Sequence, residues 1–399
     1  MKAAYIFTRF PVPSETFACN DVRALKGLGV DISVYTLRGA RPDAERMLEE
    51  RGLSGVPITH SGTWQAAAGC AIALSHPLLL LRLIWWVTKN DLSRFAHWLK
   101  CVALIPSSFF VLGRLERERP DVIHLFWGHY PSLVGYLVKA RLPRSRLSMF
   151  LGAYDLEMGL GISADLADRA DHLFTHAEVN LKRLEAMGIE RADAHVVHRG
   201  VDVEMIESID GEFPGCKGHF PVVSCVARLF ERKGVRDAVR AIPLLEEAYP
   251  RIRLFVAGEG PSERSLSSEA GSLGLSDQVI FLGHIPHSEA IRLLKSTDIF
   301  VLPSRHAAER LPNVVKEAML CGAVTVTTKS PGIEELISRG VDGVLLDSGE
   351  PEQIARAIAD VLEDEDGMRS MLELARRKVI DGFSLTVQMQ RYISIWHEE

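Results

Sequence analysis

Residues 298–322 have the sequence DIFVLPSRHAAERLPNVVKEAMLCG, in which a short apolar run, a loop and a helical pattern follow one another. Ile299–Leu302 has the length and composition of a buried strand. Pro312 stands where a helix would begin, and Gly322 stands where it would end. A buried strand followed by a helix is the repeating unit of a parallel α/β sheet, so this stretch predicts that architecture for its part of the chain.

The same alternation of apolar runs and helical patterns recurs along both halves of the chain. It predicts an α/β protein with two Rossmann-like, doubly wound parallel-sheet domains. We expect an N-terminal domain at residues 1–205, a C-terminal domain at 206–384, and a C-terminal helix at 385–399 that packs back across the domain boundary. The stretch 202–220 is rich in Gly and Pro and is interpreted as the linker. The predicted strands are Ala3–Thr8, Ile32–Leu37, Val122–Phe126, Leu147–Leu151, His172–Thr175, His195–His198, Val222–Val226, Arg253–Ala257, Val279–Leu282, Ile299–Leu302, Val324–Thr327 and Val344–Leu346.

Length and composition fit this two-domain interpretation. A chain of 399 residues exceeds one ordinary core, and 47% hydrophobic residues is typical of a globular protein. Forty-six Lys and Arg against 52 Asp and Glu give a net charge of −6, so nucleic acid is not expected as a ligand. The six scattered cysteines form no metal-binding spacing and fit a reducing compartment, so we expect a cytoplasmic protein.

The helix that begins after Pro312 predicts an anion site. The amides of Asn313, Val314 and Val315 lie at its positive end, where a diphosphate would bind. Glu317 lies ~7 Å further along the axis, at the distance of the attached ribose. Glu309 precedes the helix and would face the sugar at the other end of the diphosphate. The alternative is that Glu317 is a solvated helix residue and Glu309 a loop charge.

A second cluster lies in CVARLFERKG, residues 225–234. Arg228 follows a predicted strand directly, and Lys233 lies in the loop behind it. In open parallel sheets ligands bind beyond the carboxyl ends of the strands, so both cations would neutralise a leaving diphosphate without a metal or other cofactor. The alternative is ordinary surface charge.

Together these motifs resemble family 4 of the retaining glycosyltransferases, which have the GT-B fold of two facing Rossmann-like domains with an interdomain cleft. The resemblance covers nearly the whole chain. The opening loop FPVPSETF, residues 10–17, is similar to that of the colanic-acid and exopolysaccharide branch. The motifs in family order are RLFERKG at 228–234, GEGP at 258–261, FLG at 281–283, DIFVLPS at 298–304, the pair Glu309 and Glu317, PGIEELI at 331–337 and DGVLL at 342–346.

The resemblance implies a role for each of these positions. Arg228 and Lys233 would hold the diphosphate, Glu317 the ribose and Glu309 the transferred sugar. Backbone groups around Gly283 and His284 would flank the base, and Glu335 corresponds to the glutamate after the family's glycine turn. From the first domain, Ser14, Glu15 and Thr16 would line the cleft, and Tyr154 and Asp155 are expected in the cleft or at the acceptor. His129 follows a predicted strand and would orient the acceptor if it faces the cleft; the alternative is a buried or surface histidine.

Two positions depart from the family pattern. Leu151 replaces the histidine that commonly touches the donor sugar, and Tyr154 or Asp155 would take its place unless the acceptor geometry differs. Arg310 replaces the glycine after the first glutamate. A cation there would bind an acidic sugar or an acceptor phosphate, or would point to solvent.

The segment 61–115 differs from the rest of the chain because it is rich in tryptophan and locally basic. Five positive residues stand against the single acidic residue Asp91. The composition suits interfacial helices on an anionic membrane, and the alternative is a pair of core helices. The run 71–87 is interrupted by Pro77 and Arg82 and is too short for a spanning helix.

The sequence therefore predicts a metal-independent, retaining hexosyltransferase. Its donor would be a UDP- or GDP-type nucleotide sugar and its acceptor a glycan or lipid-linked hydroxyl of exopolysaccharide or surface glycan synthesis. It would be peripheral on the inner face of the cytoplasmic membrane through 61–115. The alternatives are a non-catalytic nucleotide-sugar-binding scaffold and a nonhydrolysing epimerase of the same fold.

Overall fold

A computed structural model describes residues 1–189, 193–305 and 310–398. The chain divides into two compact units, one formed by Met1–His198 with the residues from Gln388 onward, the other by Arg199–Val387. The predicted boundary at 205/206 is therefore wrong by seven residues. Residues 199–208 pack within the second unit because Val201 forms a β-bridge with Ser384, and the helix that starts after Asp202 contacts the helix after Pro312. This short helix also lies inside the predicted linker.

The first unit is built on a parallel sheet with the strand order β3-β2-β1-β4-β5-β6-β7. The helices between the strands cover its two faces, and the central strands are buried along most of their length, which explains why they are mainly apolar. The strands are β1 (Lys2–Phe7), β2 (Asp31–Thr36), β3 (Ile58–His60), β4 (Val122–Leu125), β5 (Arg146–Phe150), β6 (His172–Thr175) and β7 (His195–Val196). The helices are α1 (Thr16–Gly27), α2 (Ala44–Glu50), α3 (Thr63–Ser75), α4 (Pro77–Asp91), α5 (Phe95–Glu118), α6 (Ser132–Arg141), α7 (Ala153–Met158), α8 (Gly161–Ala167) and α9 (Leu181–Ala186).

Helices α3, α4 and α5 form the segment between β3 and β4. Their inner sides join the core, where Trp86 and Phe109 are fully buried. A Cβ on Gly69 of α3 would lie 1.9 Å from the carbonyl oxygen of Pro106 in α5, so only glycine permits this close helix packing. By length and composition α5 is also able to cross a membrane, since its mean hydropathy is 1.5, but 44% of that stretch is buried inside the protein. Helices α3 and α4 pass the same test only as a pair, and the two helices are bent by 106° relative to each other.

The second unit contains a parallel sheet with the strand order β10-β9-β8-β11-β12-β13. Its central strands β8 and β11 are buried, and loops from β8, β9, β10 and β11 meet at the carboxyl edge. The strands are β8 (Val222–Val226), β9 (Arg253–Ala257), β10 (Val279–Gly283), β11 (Ile299–Leu302), β12 (Val324–Thr328) and β13 (Val344–Leu346). The helices are α10 (Val203–Ser208), α11 (Val235–Ala241), α12 (Glu263–Ser272), α13 (His287–Lys295), α14 (Asn313–Cys321), α15 (Pro351–Glu363), α16 (Glu365–Phe383) and α17 (Leu385–His397).

Helix α17 is shared between the units. Its first residues, 385–387, belong to the second unit, and the rest belongs to the first. Tyr392 stacks on Phe174 with a centroid distance of 4.2 Å. Trp396 is buried, and its indole N–H donates to the hydroxyl oxygen of Ser148 at 2.9 Å. The predicted segment 385–399 is thus divided, with the larger part packed on the first sheet.

Candidate functional site

Arg228 and Lys233 lie at the carboxyl edge of the second sheet, in the loop after the central strand β8. The loop is fixed by backbone hydrogen bonds to its neighbours. The amide of Leu229 donates to the carbonyl of Glu259 at 2.9 Å, and the amide of Arg305 donates to the carbonyl of Arg232 at 2.8 Å. Both cations are therefore held on a rigid frame at the edge where ligands of such sheets bind.

Two glycines allow these loops to approach one another. Gly234 has φ +72°, and a Cβ there would lie 2.1 Å from the carbonyl oxygen of Pro303, which follows β11. Gly258 has φ +133°, and its Cβ would lie 1.9 Å from the carbonyl oxygen of Ala227. Any other residue would push the β8 loop away from its neighbours, so the position of the cations depends on these glycines.

The guanidinium of Arg228 lies over the ring of Phe230, 5.3 Å from its centroid. Arg232 contacts the same ring at 5.2 Å. Such cation–π contacts hold the planar guanidinium in one orientation without using its N–H donors. The donors of Arg228 are thereby preserved for an anionic ligand.

The N-terminus of α14 presents two amides rather than the predicted three. No side chain caps the helix after Pro312. The amide of Val315 donates to the carbonyl of Pro312 at 3.1 Å, so its inclusion in the anion site is wrong. Within the residues described, the amides of Asn313 and Val314 have no partner. Leu311, just before the helix, has φ +47°, a strained conformation for a leucine that is typical of functional sites.

Glu317 is not a solvated helix residue, because its side chain is only 17% exposed. Its Oε1 accepts a hydrogen bond from Nε2 of His287 at 3.1 Å, and this bond raises the pKa of His287. His287 is the first residue of α13 and was not singled out from the sequence. The available signal was its position at a helix start just after β10, on the strand edge that also carries Gly283.

The remaining predicted donor residues lie on loops of the same edge. Gly283 ends β10 with φ +63°, and its carbonyl accepts from the amide of Gly258 at 2.8 Å. His284 follows it directly. Glu335 ends a short 3-10 turn after β12, at residues 333–335. Glu309 lies outside the described residues.

Arg310 is buried, with 7% of its surface exposed. The alternative in which it points to solvent is therefore wrong. Its neighbourhood is the strained turn at Leu311 that leads into α14.

In the first unit, Asp155 is a buried anchor and not a residue that faces a ligand. Its Oδ1 accepts from the amide of Gly128 at 3.0 Å, and its Oδ2 accepts from the amide of Gly152 at 3.1 Å. Its side chain is fully buried, and His129 Nδ1 lies 3.2 Å from Oδ1. The prediction that Asp155 contacts sugar or acceptor directly is wrong, because its oxygens are occupied by protein donors.

The other first-unit candidates differ in exposure. Tyr154 is 59% exposed and lies edge-on to the ring of His129. Ser14 and Thr16 are exposed, whereas Glu15 is half-buried in a pocket together with His129. Leu151, in place of the family histidine, is fully buried in the core of the unit.

Comparisons with known proteins relate the chain to a family. Residues 212–378 match the model of the glycosyl transferases group 1 family. The chain is 26% identical to the colanic acid biosynthesis glycosyltransferase WcaL of Salmonella typhimurium, with 96% of each chain covered. Residues 212–378 thus have the sequence signature of the group 1 glycosyltransferases. It is also 25% identical to the amylovoran biosynthesis glycosyltransferase AmsK of Erwinia amylovora, with 99% of each covered.

The likeness to a solved structure confirms the GT-B fold of the chain. The Anabaena protein HepE, crystallised in complex with UDP, matches with a TM-score of 0.70 over 99% of each chain at 18% identity. The described residues contain no group of three His, Cys, Asp or Glu side chains placed to hold a metal ion.

Proposed function

We propose that this glycosyltransferase moves a hexose from a nucleoside diphosphate sugar to an acceptor hydroxyl, with retention of anomeric configuration and without a divalent metal. The observation that carries the proposal is the convergence of Arg228, Lys233 and the two open amides of α14 at one edge of the second sheet. These are donors suited to a diphosphate. Glu317 lies one turn deeper in α14, where a ribose would follow.

The chemistry requires that the negative charge of the leaving group be stabilised. The bond between the anomeric carbon and the diphosphate oxygen breaks, and its electron pair stays on that oxygen. Arg228, Lys233 and the amides of Asn313 and Val314 would stabilise this charge through fixed donors. The acceptor oxygen bonds to the same face of the sugar, and its proton passes to the departing phosphate oxygen. No protein nucleophile is needed.

The rest of the donor would be bound by groups around the same edge. Glu317, oriented by His287, would accept hydrogen bonds from the ribose hydroxyls. Backbone groups at Gly283 and His284 would flank the base, and Glu309 would contact the transferred sugar.

The proposed acceptor is a lipid-linked glycan of exopolysaccharide or surface glycan synthesis. The names of the relatives WcaL and AmsK refer to such pathways. The outer face of α3, α4 and the start of α5, which we call the apolar-basic face, supports a membrane-bound acceptor. Its exposed apolar residues are Trp64, Leu74, Leu78, Leu81, Trp85, Leu92, Phe95 and Leu99, and its exposed cations are Arg82, Lys89, Arg94 and Lys100.

Charge on this face favours an anionic lipid surface. The one acidic residue of the three-helix segment up to Lys100, Asp91, is buried and bound to the amide of Gly161 and to His97. An exposed apolar surface with cations and no exposed carboxylate is typical of peripheral membrane binding. We therefore propose a cytoplasmic protein that docks on the inner face of the cytoplasmic membrane.

Transfer is tested by incubation with a panel of nucleotide sugars and a lipid extract, with and without chelator. Release of nucleoside diphosphate with a new glycolipid, unaffected by chelator, supports the proposal. Nucleotide binding without turnover would instead indicate a scaffold, and interconversion of free nucleotide sugars an epimerase. Lys233→Ala is expected to abolish turnover, and an unchanged rate would remove the leaving-group assignment.

Membrane docking is tested by flotation with vesicles of phosphatidylglycerol and phosphatidylcholine. Leu81→Glu places a carboxylate on the apolar-basic face, and Leu244→Glu is the matched control at a similarly exposed leucine of the second unit. We expect the first substitution to release the protein from anionic vesicles and the second to leave binding unchanged. Equal binding by both variants would contradict the proposed face.

A further inference from the structure

The first unit contains a pocket of about 310 Å³ at the carboxyl edge of its own sheet. Its walls come from segments far apart in sequence: the loop after β1, the loop after β2, the loop after β4, and α5. The residues that matter for its chemistry are Arg9, Glu15, Arg38, Lys100, His129 and Tyr130.

Three cations and one carboxylate line this pocket. In the part of the chain that the structure describes, no carboxylate lies within ion-pair distance of Arg9, Arg38 or Lys100. Other arginines of the unit do have acidic partners, as Arg41 has Asp43 and Arg141 has Glu116. Three such cations in one small pocket of a protein with net charge −6 indicate an anionic ligand.

His129 gives the pocket an oriented hydrogen-bonding group. Since the Asp155 carboxylate is an acceptor, the Nδ1 of His129 facing it carries the proton. The other ring nitrogen, Nε2, is then an acceptor on the pocket side, 3.5 Å from the hydroxyl of Thr8. A hydroxyl of a ligand held by the cations would be able to donate to this nitrogen.

The pocket adjoins the apolar-basic face. Lys100 follows Leu99 on α5, and Leu99 is 53% exposed on that face. Tyr130 of the pocket stacks on His97 of the same helix, with centroids 5.1 Å apart. An anion bound beside Lys100 therefore lies next to the apolar-basic face. This position favours a lipid headgroup over a free phosphate as the source of the anion.

We infer that this pocket binds the diphosphate of a polyprenyl-type lipid carrier, through Arg9, Arg38 and Lys100, and that His129 orients the acceptor. The inference rests on the proposed function, because it names the acceptor chemistry of the same enzyme. Two forked guanidiniums and an ammonium provide the bidentate and point-charge contacts that a diphosphate requires. The polyprenyl chain would lie along the apolar-basic face.

The test measures binding of farnesyl diphosphate, farnesyl monophosphate, inorganic pyrophosphate and farnesol to the full-length protein by calorimetry. We expect farnesyl diphosphate to bind at least tenfold more tightly than the other three. Arg38→Ala and Arg9→Ala should each weaken its binding about tenfold or more. The matched control is Arg46→Ala, an exposed arginine of α2 in the same unit, which should change nothing.

Binding of UDP and GDP is measured on the same proteins. Pocket variants that lose farnesyl diphosphate but keep the nucleotide support the inference. Unchanged farnesyl diphosphate binding in both arginine variants would overturn the inference. Loss of farnesyl diphosphate binding in Lys233→Ala would also overturn it, because the ligand would then lie in the donor site. Equal affinity for pyrophosphate and farnesyl diphosphate would indicate a free phosphate site and also overturn it. If no nucleotide binds the wild type, the proposed function fails while the pocket result still stands.

Discussion

Glu317→Gln is the substitution that tests the donor site most selectively, because it removes a charge and keeps the size of the side chain. One carboxylate oxygen, Oε1, is already engaged by His287 at 3.1 Å. The second oxygen is the one available to a ribose hydroxyl. The substitution therefore changes one charge-assisted hydrogen bond to ligand and one to protein.

The expected loss of nucleotide affinity follows from the hydrogen bond to the ligand that the substitution weakens. A hydrogen bond to a charged group contributes about 1.5–3 kcal/mol, and about 1.4 kcal/mol corresponds to a tenfold change in Kd. The Kd for UDP or GDP should therefore rise roughly 10- to 150-fold in Glu317→Gln. The pKa of His287, which the carboxylate raises, should fall toward its ordinary value.

The assay is a thermodynamic cycle that combines one substitution in the protein with one change in the ligand, measured by calorimetry. Wild type and Glu317→Gln are each titrated with UDP and with 2′,3′-dideoxy-UDP, and NMR follows the His287 imidazole. Glu289→Gln, a carboxylate of α13 paired with Arg292, is the control that should bind both nucleotides normally. If Glu317→Gln loses the same affinity for the dideoxy nucleotide as for UDP, Glu317 does not bind ribose, and the reasoning is refuted.

Three further predictions concern stability. Burial lowers the pKa of the fully buried Lys316 to about 7, whereas the unfolded chain keeps the ordinary value of about 10.5. Between these pH values the unfolded state binds one more proton, so wild-type stability should rise with pH by roughly 1.4 kcal/mol per unit. Urea unfolding of Lys316→Met from pH 8 to 10 should lack this slope, and an equal slope would contradict the argument. Gly234→Ala should lower the melting temperature and weaken nucleotide binding, because its Cβ would clash with the carbonyl of Pro303. Gly322 has φ +84° and open space around its Cβ position, so the control Gly322→Ala should lose stability but keep nucleotide binding. Equal effects of the two substitutions on binding would refute the role of the clash. Asp155→Asn should destabilise by about 1–3 kcal/mol, since the buried carboxylate accepts from two backbone amides, and thermal unfolding within 0.5 kcal/mol of wild type would count against this role.

The fold was predictable because parallel strands covered on both faces are apolar runs of strand length. All twelve predicted strands exist, and Val222–Val226 and Ile299–Leu302 have the predicted bounds. β3 was missed because it has three half-buried residues at the sheet edge. The domain boundary was misplaced because the Gly- and Pro-rich stretch after residue 202 indicates loops, and loops do not reveal on which unit they pack.

The candidate site was predictable where one local motif carries it. Strand ends locate Arg228 and Lys233, and the proline-initiated helix locates Glu317. The Val315 amide is used in a hydrogen bond within the chain, and the buried Asp155 accepts from two backbone amides. The sequence does not specify either set of hydrogen bonds. His287 was missed for the same reason.

The pocket of the first unit was not predictable at all. Arg9, Arg38 and Lys100 come from two strand ends and a helix that only the folded sheet brings together. No spacing in the sequence connects them.

The central claim is that protein cations and a helix N-terminus hold the diphosphate of the donor. A crystal structure of the protein with bound UDP or GDP tests it most directly. The account predicts diphosphate oxygens within hydrogen-bond distance of Arg228, Lys233 and the amides of Asn313 and Val314. A diphosphate bound away from these groups would contradict it.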